Sequence, residues 1–337
     1  MFNYLFRRIL SLTLIILGVV LLTFLLSRAL PSSPVEMMLG ARPTAEQVQM
    51  ARAQLGLDRP VLEQLVRYYI QLGQGQLGVS LRTGQPVLAE VGRRLSATAE
   101  LVTLALIFAV SVGVPLGVLA AVRRNGIADH IARLVSVSGV AIPVFFLGIL
   151  LQMLFYGWLG VLPLQGRIES NVLLDHPFAD ITGFYLIDSI ADLNWTAFKS
   201  AVAHLVLPVV CLSIGSLATV LRVTRNMMAD VLQTDYIRTA RAYGLSKRKT
   251  YFVFALKATL VPLLTIVGLT YGFMLGGSVV AEMIFDWPGI GSYIVESVVT
   301  NDYPAVVGVT LVMSILYLSI NLVVDLLYFV LDPRISA

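Results

Sequence analysis

The chain has few charged residues and almost no cysteine or histidine for its length. Only 13% of its 337 residues are charged, whereas 57% are hydrophobic, and the mean hydropathy is +0.84. Soluble domains carry roughly 25% charged residues, so this composition excludes an ordinary soluble domain. The single cysteine, Cys211, excludes an internal disulfide. The histidines, His130, His176 and His204, lie too far apart in sequence to indicate a metal site.

Lysine is also scarce, and this scarcity bears on ATP binding. A phosphate-binding loop of the G-x-x-x-x-G-K-[ST] type needs glycines before a lysine, because backbone N–H groups and the lysine together hold the phosphates. None of the lysines follows a glycine; they are Lys199, Lys247, Lys249 and Lys257. We therefore predict that this chain is not an ATPase by itself. No pairing of a nucleophile with a base indicates any other enzyme.

Six windows without a charged side chain are long enough to cross a membrane. They cover residues 9–27, 101–122, 134–166, 200–221, 258–281 and 303–324. A transmembrane helix needs about 20 apolar residues, so we predict an all-α integral membrane protein with six transmembrane helices. The third window is too long for one span, and its glycines and Pro163 predict that the helix ends near Tyr156.

The arginines and lysines predict the orientation of these helices. With a cytoplasmic N-terminus, inner segments contain 14 of the 24 basic residues, in about half the length of loop that contains the other 10. The positive-inside rule favours this orientation, with both termini in the cytoplasm. We predict a first transmembrane helix over 1–30, a periplasmic helical segment over 31–99 and a five-helix core over 100–331. The core contains a periplasmic loop over 157–199 and a cytoplasmic loop over 223–257.

Carboxylates are nearly absent from the interior of the windows. Glu100, Glu282 and Asp302 lie at their edges, and Asp325 lies toward the inner end of the last one. Ion-coupled carriers generally use carboxylates inside the membrane, so this pattern argues against a self-sufficient secondary carrier. A carrier or channel is kept as the alternative class. The surplus positive charge follows from topology and gives no reason to expect nucleic acid.

The most informative segment lies between the fourth and fifth windows. Residues 235–249 read DYIRTARAYGLSKRK. Asp235 is placed to cap a short helix, and Gly244 is placed to end that helix in a left-handed conformation. Such a helix is too small to be a domain, so it indicates a contact with a partner protein. A solvated basic turn beside anionic lipid is the alternative.

Several motifs along the chain share one resemblance. Besides residues 235–245 they are LGLDRP at 55–60, EMIFDWPGIG at 282–291, DYP at 302–304, and the DLLY and DPRI of 325–335. Together they resemble the membrane subunits of bacterial ABC importers, and more narrowly the B-type permease of the dipeptide, oligopeptide and nickel branch. The resemblance covers essentially the whole chain.

This resemblance implies a type I ABC importer permease fold in the bacterial inner membrane, with no cofactor bound by this chain. The implied partners are a second homologous permease subunit, two ABC ATPase subunits and a periplasmic or lipid-anchored substrate-binding protein, beside membrane lipid. ATP and magnesium would bind to the ATPase subunits. The implied cargo is di- or oligopeptides, with glutathione, nickel chelates, modified sugars or another small solute as alternatives.

The resemblance also implies that the short helix is a coupling helix that docks on an ATPase subunit, with Tyr236 and Ile237 as contact anchors. The residues assigned to coupling are Asp235, Tyr236, Ile237, Arg238, Thr239, Ala240, Arg241, Gly244 and Leu245. Many ABC importers carry Glu-Ala-Ala where this chain has residues 238–240. That difference is shared with the peptide branch.

A second candidate site follows the fifth window on the outer side. The resemblance implies that it is part of an outer gate or a contact with the substrate-binding protein. The residues assigned to it are Glu282, Phe285, Trp287, Pro288 and Gly289. The alternative is an aromatic-belt loop, in which Phe285 and Trp287 anchor the chain at the membrane interface.

Overall fold

The structure of the protein, a computed structural model, describes residues 2–29, 44–54 and 58–331. These residues are helical apart from turns and connecting segments, with one isolated bridge between Val79 and Pro86. In chain order the α-helices are α1 Phe2–Ala29, α2 Ala45–Gln54, α3 Val61–Gly73, α4 Val87–Val122, α5 Ile127–Ala141, α6 Val144–Leu151, α7 Ser170–Asp175, α8 Tyr185–Ala191, α9 Trp195–Val231, α10 Asp235–Ala242, α11 Leu256–Ile284, α12 Ile290–Val299 and α13 Tyr303–Leu331. Two π-helical turns continue α6 and precede α11, over Gln152–Trp158 and Lys249–Ala255.

Within the described ranges, four helices are long and apolar enough to cross a membrane. They are Val87–Val122, Trp195–Val231, Lys249–Ile284 and Tyr303–Leu327. The bent pair α5 and α6 makes a fifth if it forms one span, and α1 contributes a shorter apolar run, Leu10–Leu25. The all-α membrane fold is confirmed, whereas the count of six spans and the side of the termini stay predictions.

The third apolar window contains a break that its composition did not predict. The axes of α5 and α6 are bent by 104° across Ile142 and Pro143. A proline disfavours helical backbone in the residue before it, and Ile142 is extended, with φ −78° and ψ 122°. The helical part of this window ends at Trp158, where the π-helical turn stops, in agreement with the predicted end near Tyr156.

The chain forms two compact units. The first comprises Met1–Leu95 and Ser292–Ser319, and the second comprises Ser96–Gly291 and Ile320–Ala337. Helices α4, α12 and α13 therefore contribute residues to both. Both candidate sites of the sequence analysis, the coupling segment and the stretch from Glu282 to Gly289, lie in the second unit.

In the first unit, α3 lies against α1. The Tyr69 hydroxyl donates a hydrogen bond to the carbonyl of Leu17 at 2.7 Å, and the rings of Phe24 and Tyr68 lie 5.8 Å apart. Asp302, just before α13, is fully buried. A hydrogen bond and aromatic packing therefore hold α3 against α1 in the first unit.

In the second unit, α9 packs against α5, α6, α8 and α11. Helix α4 also approaches α9 closely, because Gly117 has no side chain at the crossing. A Cβ at Gly117 would lie 2.8 Å from the carbonyl oxygen of Leu221 and from Cβ of Thr224. Small residues at such crossings let helices in membranes gain close van der Waals contact.

Candidate functional site

The basic segment after α9 folds as the short helix α10. Thr234 is its N-cap residue, with φ −72° and ψ 153°, and its carbonyl accepts hydrogen bonds from the N–H groups of Ile237 and Arg238, both at 3.2 Å. Asp235 is the first helical residue, and its side chain is 95% exposed. The prediction that Asp235 caps the helix is therefore wrong by one residue. Its carboxylate still lies at the N-terminus, where it interacts favourably with the helix dipole.

The C-terminus of α10 has the geometry that the sequence predicts. Gly244 adopts a φ of +74°, in the left-handed region. The N–H of Leu245 donates to the carbonyl of Ala240 at 3.2 Å, and the N–H of Gly244 donates to that of Arg241 at 3.0 Å. This pair of hydrogen bonds is a Schellman motif, which sets the direction in which the chain leaves the helix.

One face of α10 is buried within the second unit. Ile237 is fully buried, and it packs in a cluster with Val118 of α4, Met228 of α9 and Ala255 of the π-helical turn before α11. The prediction that Ile237 is a contact anchor for another protein is therefore wrong. Its side chain holds α10 on three transmembrane segments instead, so α10 is tied to the helices that a coupling element would have to move.

The opposite face of α10 is exposed. Tyr236 is 46% exposed, and Arg238, Thr239 and Arg241 are exposed beside it. Tyr243, just after the helix, is 84% exposed. Tyrosine and arginine are the residue types enriched at the centres of protein interfaces. The exposed face of α10 is thus a small surface suited to a protein contact, and Ile237 on the opposite face packs against the rest of the second unit.

We expect the Ile237→Ala substitution to destabilise the protein strongly. Truncating a buried isoleucine removes apolar contacts and leaves a cavity, at a cost of about 2–5 kcal/mol. Tyr236→Ala is the matched control, because exposed substitutions usually change stability by less than about 0.5 kcal/mol. Thermal unfolding of the purified protein in detergent measures both. Equal unfolding temperatures for the two variants would contradict the burial of Ile237.

The second candidate site lies at the C-terminal end of α11, roughly 43 Å from its start, because the helix has 29 residues and each adds about 1.5 Å. Glu282 is fully buried there. Its Oε1 accepts hydrogen bonds from the hydroxyls of Thr98 at 2.7 Å and Ser278 at 2.9 Å. The Thr98 hydroxyl oxygen in turn accepts from the N–H of Ile290 at 2.8 Å. We name Thr98, Ser278, Glu282 and Ile290 the Glu282 cluster; it joins α4, α11 and α12.

The glycine at position 289 is required by the Glu282 carboxylate. A Cβ built on Gly289 would collide with that carboxylate and lie 2.5 Å from the hydroxyl oxygen of Thr98. Gly291 is also closely packed, because a Cβ added there would lie 2.7 Å from Cα of Val279. The Pro-Gly-Ile-Gly stretch is therefore a closely packed connection between α11 and α12.

The aromatic residues of this stretch face the protein interior. Phe285 and Trp287 are each 1% exposed, and the indole Nε1 of Trp287 donates to the carbonyl of Ala97 at 2.9 Å. The aromatic-belt alternative is wrong, because side chains buried within the chain cannot anchor it at a lipid interface. Pro288 is exposed, so it is the assigned residue that another protein can touch.

A buried ion pair lies beside Trp287. Arg167 and Glu100 are 7% and 3% exposed at their side chains, and Arg167 Nη2 donates to Glu100 and to the carbonyl of Gly183, the latter at 2.8 Å. The guanidinium also stacks 3.7 Å from the ring centre of Tyr185. Glu100 is one of the carboxylates at the window edges, and its charge is neutralised by a residue of the predicted periplasmic loop.

A third polar group was not predicted from the sequence. Asp129 of α5 is fully buried, and it accepts hydrogen bonds from Arg133 Nη2 at 2.6 Å, Arg225 Nε at 2.9 Å and the N–H of Asn125 at 2.9 Å. The spacing of Asp129 and Arg133 along one helix was a signal available in the sequence. Arg225 lies on α9, 96 residues away, and no local pattern indicates that contact.

In the parts of the chain that the structure describes, no three histidine, cysteine or carboxylate side chains are grouped in a way that could hold a metal ion. The buried carboxylates of Glu282, Glu100 and Asp129 instead accept hydrogen bonds from hydroxyls, backbone N–H groups and arginines. Their arrangement suits positioning of helices, with an exposed contact surface at α10.

Comparison with known proteins shows extensive similarity along the whole chain. The family model described as "Binding-protein-dependent transport system inner membrane component" matches residues 113–337. A second one, "Binding-prot-dependent transport system membrane comp, N-term", matches residues 1–102.

Two relatives from Escherichia coli (strain K12) align over nearly their full lengths. The "Probable D,D-dipeptide transport system permease protein DdpB" is 42% identical over 330 residues, covering 98% of this chain and 96% of the relative. The "Dipeptide transport system permease protein DppB" is 39% identical over 336 residues, covering 99% of both.

A similar solved structure is an inward-facing conformation of the MetNI methionine ABC transporter. The TM-score is 0.53 at 17% sequence identity, and the match covers 73% of this chain and 97% of that one. At this identity the likeness shows the fold.

Proposed function

We propose that this chain, which belongs to the family of binding-protein-dependent transport system inner membrane components, forms one half of a pathway that imports short peptides. The chain is the permease subunit of an ABC importer in the inner membrane, and it is not itself the ATPase. The family consists of membrane subunits of a transport complex, which sets aside the alternative of a self-sufficient carrier.

The observation that carries the coupling role is that α10 is buried on one face and exposed on the other. Ile237 is fixed to α4, α9 and the start of α11, whereas Tyr236, Arg238 and Arg241 are exposed. A protein docked on the exposed face would transmit its movement through Ile237 to three transmembrane segments. We propose that each of two ATPase subunits docks on one permease in this way, and that their closure on ATP and magnesium switches the pathway between its two sides.

The Glu282 cluster supports a role at the outer end of the pathway. It joins α4, α11 and α12 through hydrogen bonds to one buried carboxylate. Such a joint lets movement of α11 reach the exposed surface around Pro288. We propose that Glu282, Phe285, Trp287 and Gly289 position this region as part of the outer gate, and that Pro288 touches the substrate-binding protein.

Docking at α10 is tested with the Tyr236→Ala, Arg241→Ala double variant. Removing the exposed Tyr236 ring, at about 2 kcal/mol, together with the smaller contribution of Arg241, is expected to weaken ATPase association by at least about tenfold. Pull-down of ATPase subunits on the tagged permease measures this effect. Ile127→Ala is the matched control, because Ile127 is 80% exposed and lies outside α10. Unchanged association in the double variant would contradict docking at α10.

Cargo and energy source are tested on the reconstituted transporter with its binding protein. The permease alone should hydrolyse no ATP, and the complex should show vanadate-sensitive hydrolysis that a dipeptide stimulates. Labelled dipeptide, glutathione and nickel chelate are then compared for uptake into proteoliposomes. Preference for glutathione or nickel would overturn the peptide proposal and leave the coupling proposal intact.

A further inference from the structure

A cavity of about 510 Å³ lies between α5 and α9, at the end of the second unit that also carries α10. This volume is within the roughly 300–1,000 Å³ of small-molecule sites. Four arginines line it: Arg124, Arg133, Arg222 and Arg225. The distribution of arginine and lysine predicts that this end faces the cytoplasm.

The cavity carries positive charge that the protein does not neutralise. Asp129 is bound to Arg133 and Arg225, so one carboxylate is shared by two guanidiniums. Arg124 and Arg222 are exposed and form no ion pair with any residue in the described ranges. Like charges facing one space repel, and an anion in that space would relieve the repulsion.

On the side formed by α5, the lining of the cavity includes an apolar side chain, and exposed apolar side chains extend from there along α5. Val137 lines the cavity and is itself 69% exposed. Leu134 and Ile131, one turn and two turns from it, are 69% and 56% exposed. These side chains form a stripe on one face of α5, the first helix of the bent apolar pair, starting at the arginines. A ligand that matches both features has an anionic head and an apolar tail.

We propose that this cavity binds an anionic phospholipid, with its phosphate among the four arginines and an acyl chain along the exposed stripe of α5. Basic pockets between transmembrane helices on the cytoplasmic side are suited to anionic headgroups. A free phosphate would satisfy the arginines but leave the apolar stripe uncovered. Binding of this lipid does not depend on which cargo is transported.

The site is also placed to act on coupling. Arg222 and Arg225 lie on α9, one to two turns before Met228, which packs against Ile237 of α10. A lipid that fixes this end of α9 therefore stabilises the segment on which α10 rests. A variant that no longer retains the lipid should therefore also show reduced ATP-dependent uptake.

The test is native mass spectrometry of the purified transporter after exposure to phosphatidylglycerol or phosphatidylcholine. We expect phosphatidylglycerol to be retained, and the Arg124→Gln, Arg222→Gln variant to bind it about 30-fold more weakly, the factor for two cations at about 1 kcal/mol each. Lys247→Gln, Lys249→Gln removes the same charge outside the cavity and should retain the lipid. Arg124→Lys, Arg222→Lys should retain most of it.

Three results would overturn the proposal. Equal retention in the glutamine variant and its control would place the lipid elsewhere. An equal rise in unfolding temperature with inorganic phosphate and with short-chain phosphatidylglycerol would indicate a site for a soluble anion. Efficient cross-linking of the Arg222→Cys variant to the second permease would show that a partner surface covers the cavity.

Discussion

Gly244→Val is expected to leave the permease inserted in the membrane but to weaken its association with the ATPase by about tenfold. A β-branched residue in left-handed backbone is strained by about 1–2 kcal/mol, and about 1.4 kcal/mol is tenfold in an equilibrium. Gly244 has a φ of +74°, and no atom within 4 Å would meet a Cβ there. The effect therefore comes from backbone strain alone, which the chain relieves by turning α10 away from its native direction.

Lys247→Val is the matched control, because Lys247 lies three residues after Gly244, outside α10, and is exposed without a left-handed φ. Membrane levels should be normal for both variants, whereas uptake and ATPase pull-down should fall in Gly244→Val alone. Arg241→Ala should be milder, since an exposed charge contributes little in solvent. Normal transport by Gly244→Val together with lost transport by Arg241→Ala would show that charge, and not the direction of the turn, controls docking.

Arg167→Met is expected to destabilise the protein by about 3–5 kcal/mol, because it leaves the buried Glu100 carboxylate without its cation. Glu100 keeps one hydrogen bond, from the N–H of Leu186 at 2.9 Å. The unpaired charge should loosen the loop residues that Arg167 holds, including Gly183. Thermal unfolding of the purified transporter and the amount inserted in the membrane both report this loss.

The exposed pair of Arg82 and Glu296 is the matched control for this substitution. Their side chains are 33% and 45% exposed, so Arg82→Met should cost less than about 1 kcal/mol. The double variant Glu100→Leu, Arg167→Met should be more stable than Arg167→Met alone, because it removes the unpaired charge as well. A double variant less stable than either single variant would show that packing of the side chains, and not the charge, stabilises this contact.

Much of the fold could be predicted because membrane spans are properties of composition. Five of the six apolar windows each correspond to one described helix, and the third corresponds to the bent pair α5 and α6, since backbone polar groups in a bilayer must be satisfied within the segment. The helix of α10 and the left-handed Gly244 were predictable for a similar reason, because helix ends depend on a few neighbouring residues. Local backbone preference was sufficient in these places.

The lengths and ends of the helices were less predictable. Helix α4 begins at Val87, well before its apolar window, because amphipathic sequence outside the membrane continues the same helix. The N-cap of α10 was predicted one residue from its true position, since Thr234 and Asp235 are both suited to start a helix. The bend at Pro143 depends on a single residue inside an otherwise uniform apolar run.

The sequence by itself determined the class of this protein, its apolar segments, its lack of a phosphate-binding loop and the family to which it belongs. Only the tertiary structure decided which side chains of each motif face inward. Ile237 and Trp287 occur in motifs suited to surface contact, yet both are buried. Burial depends on helices distant in sequence, as does the pairing of Asp129 with Arg225, and no local pattern contains that information.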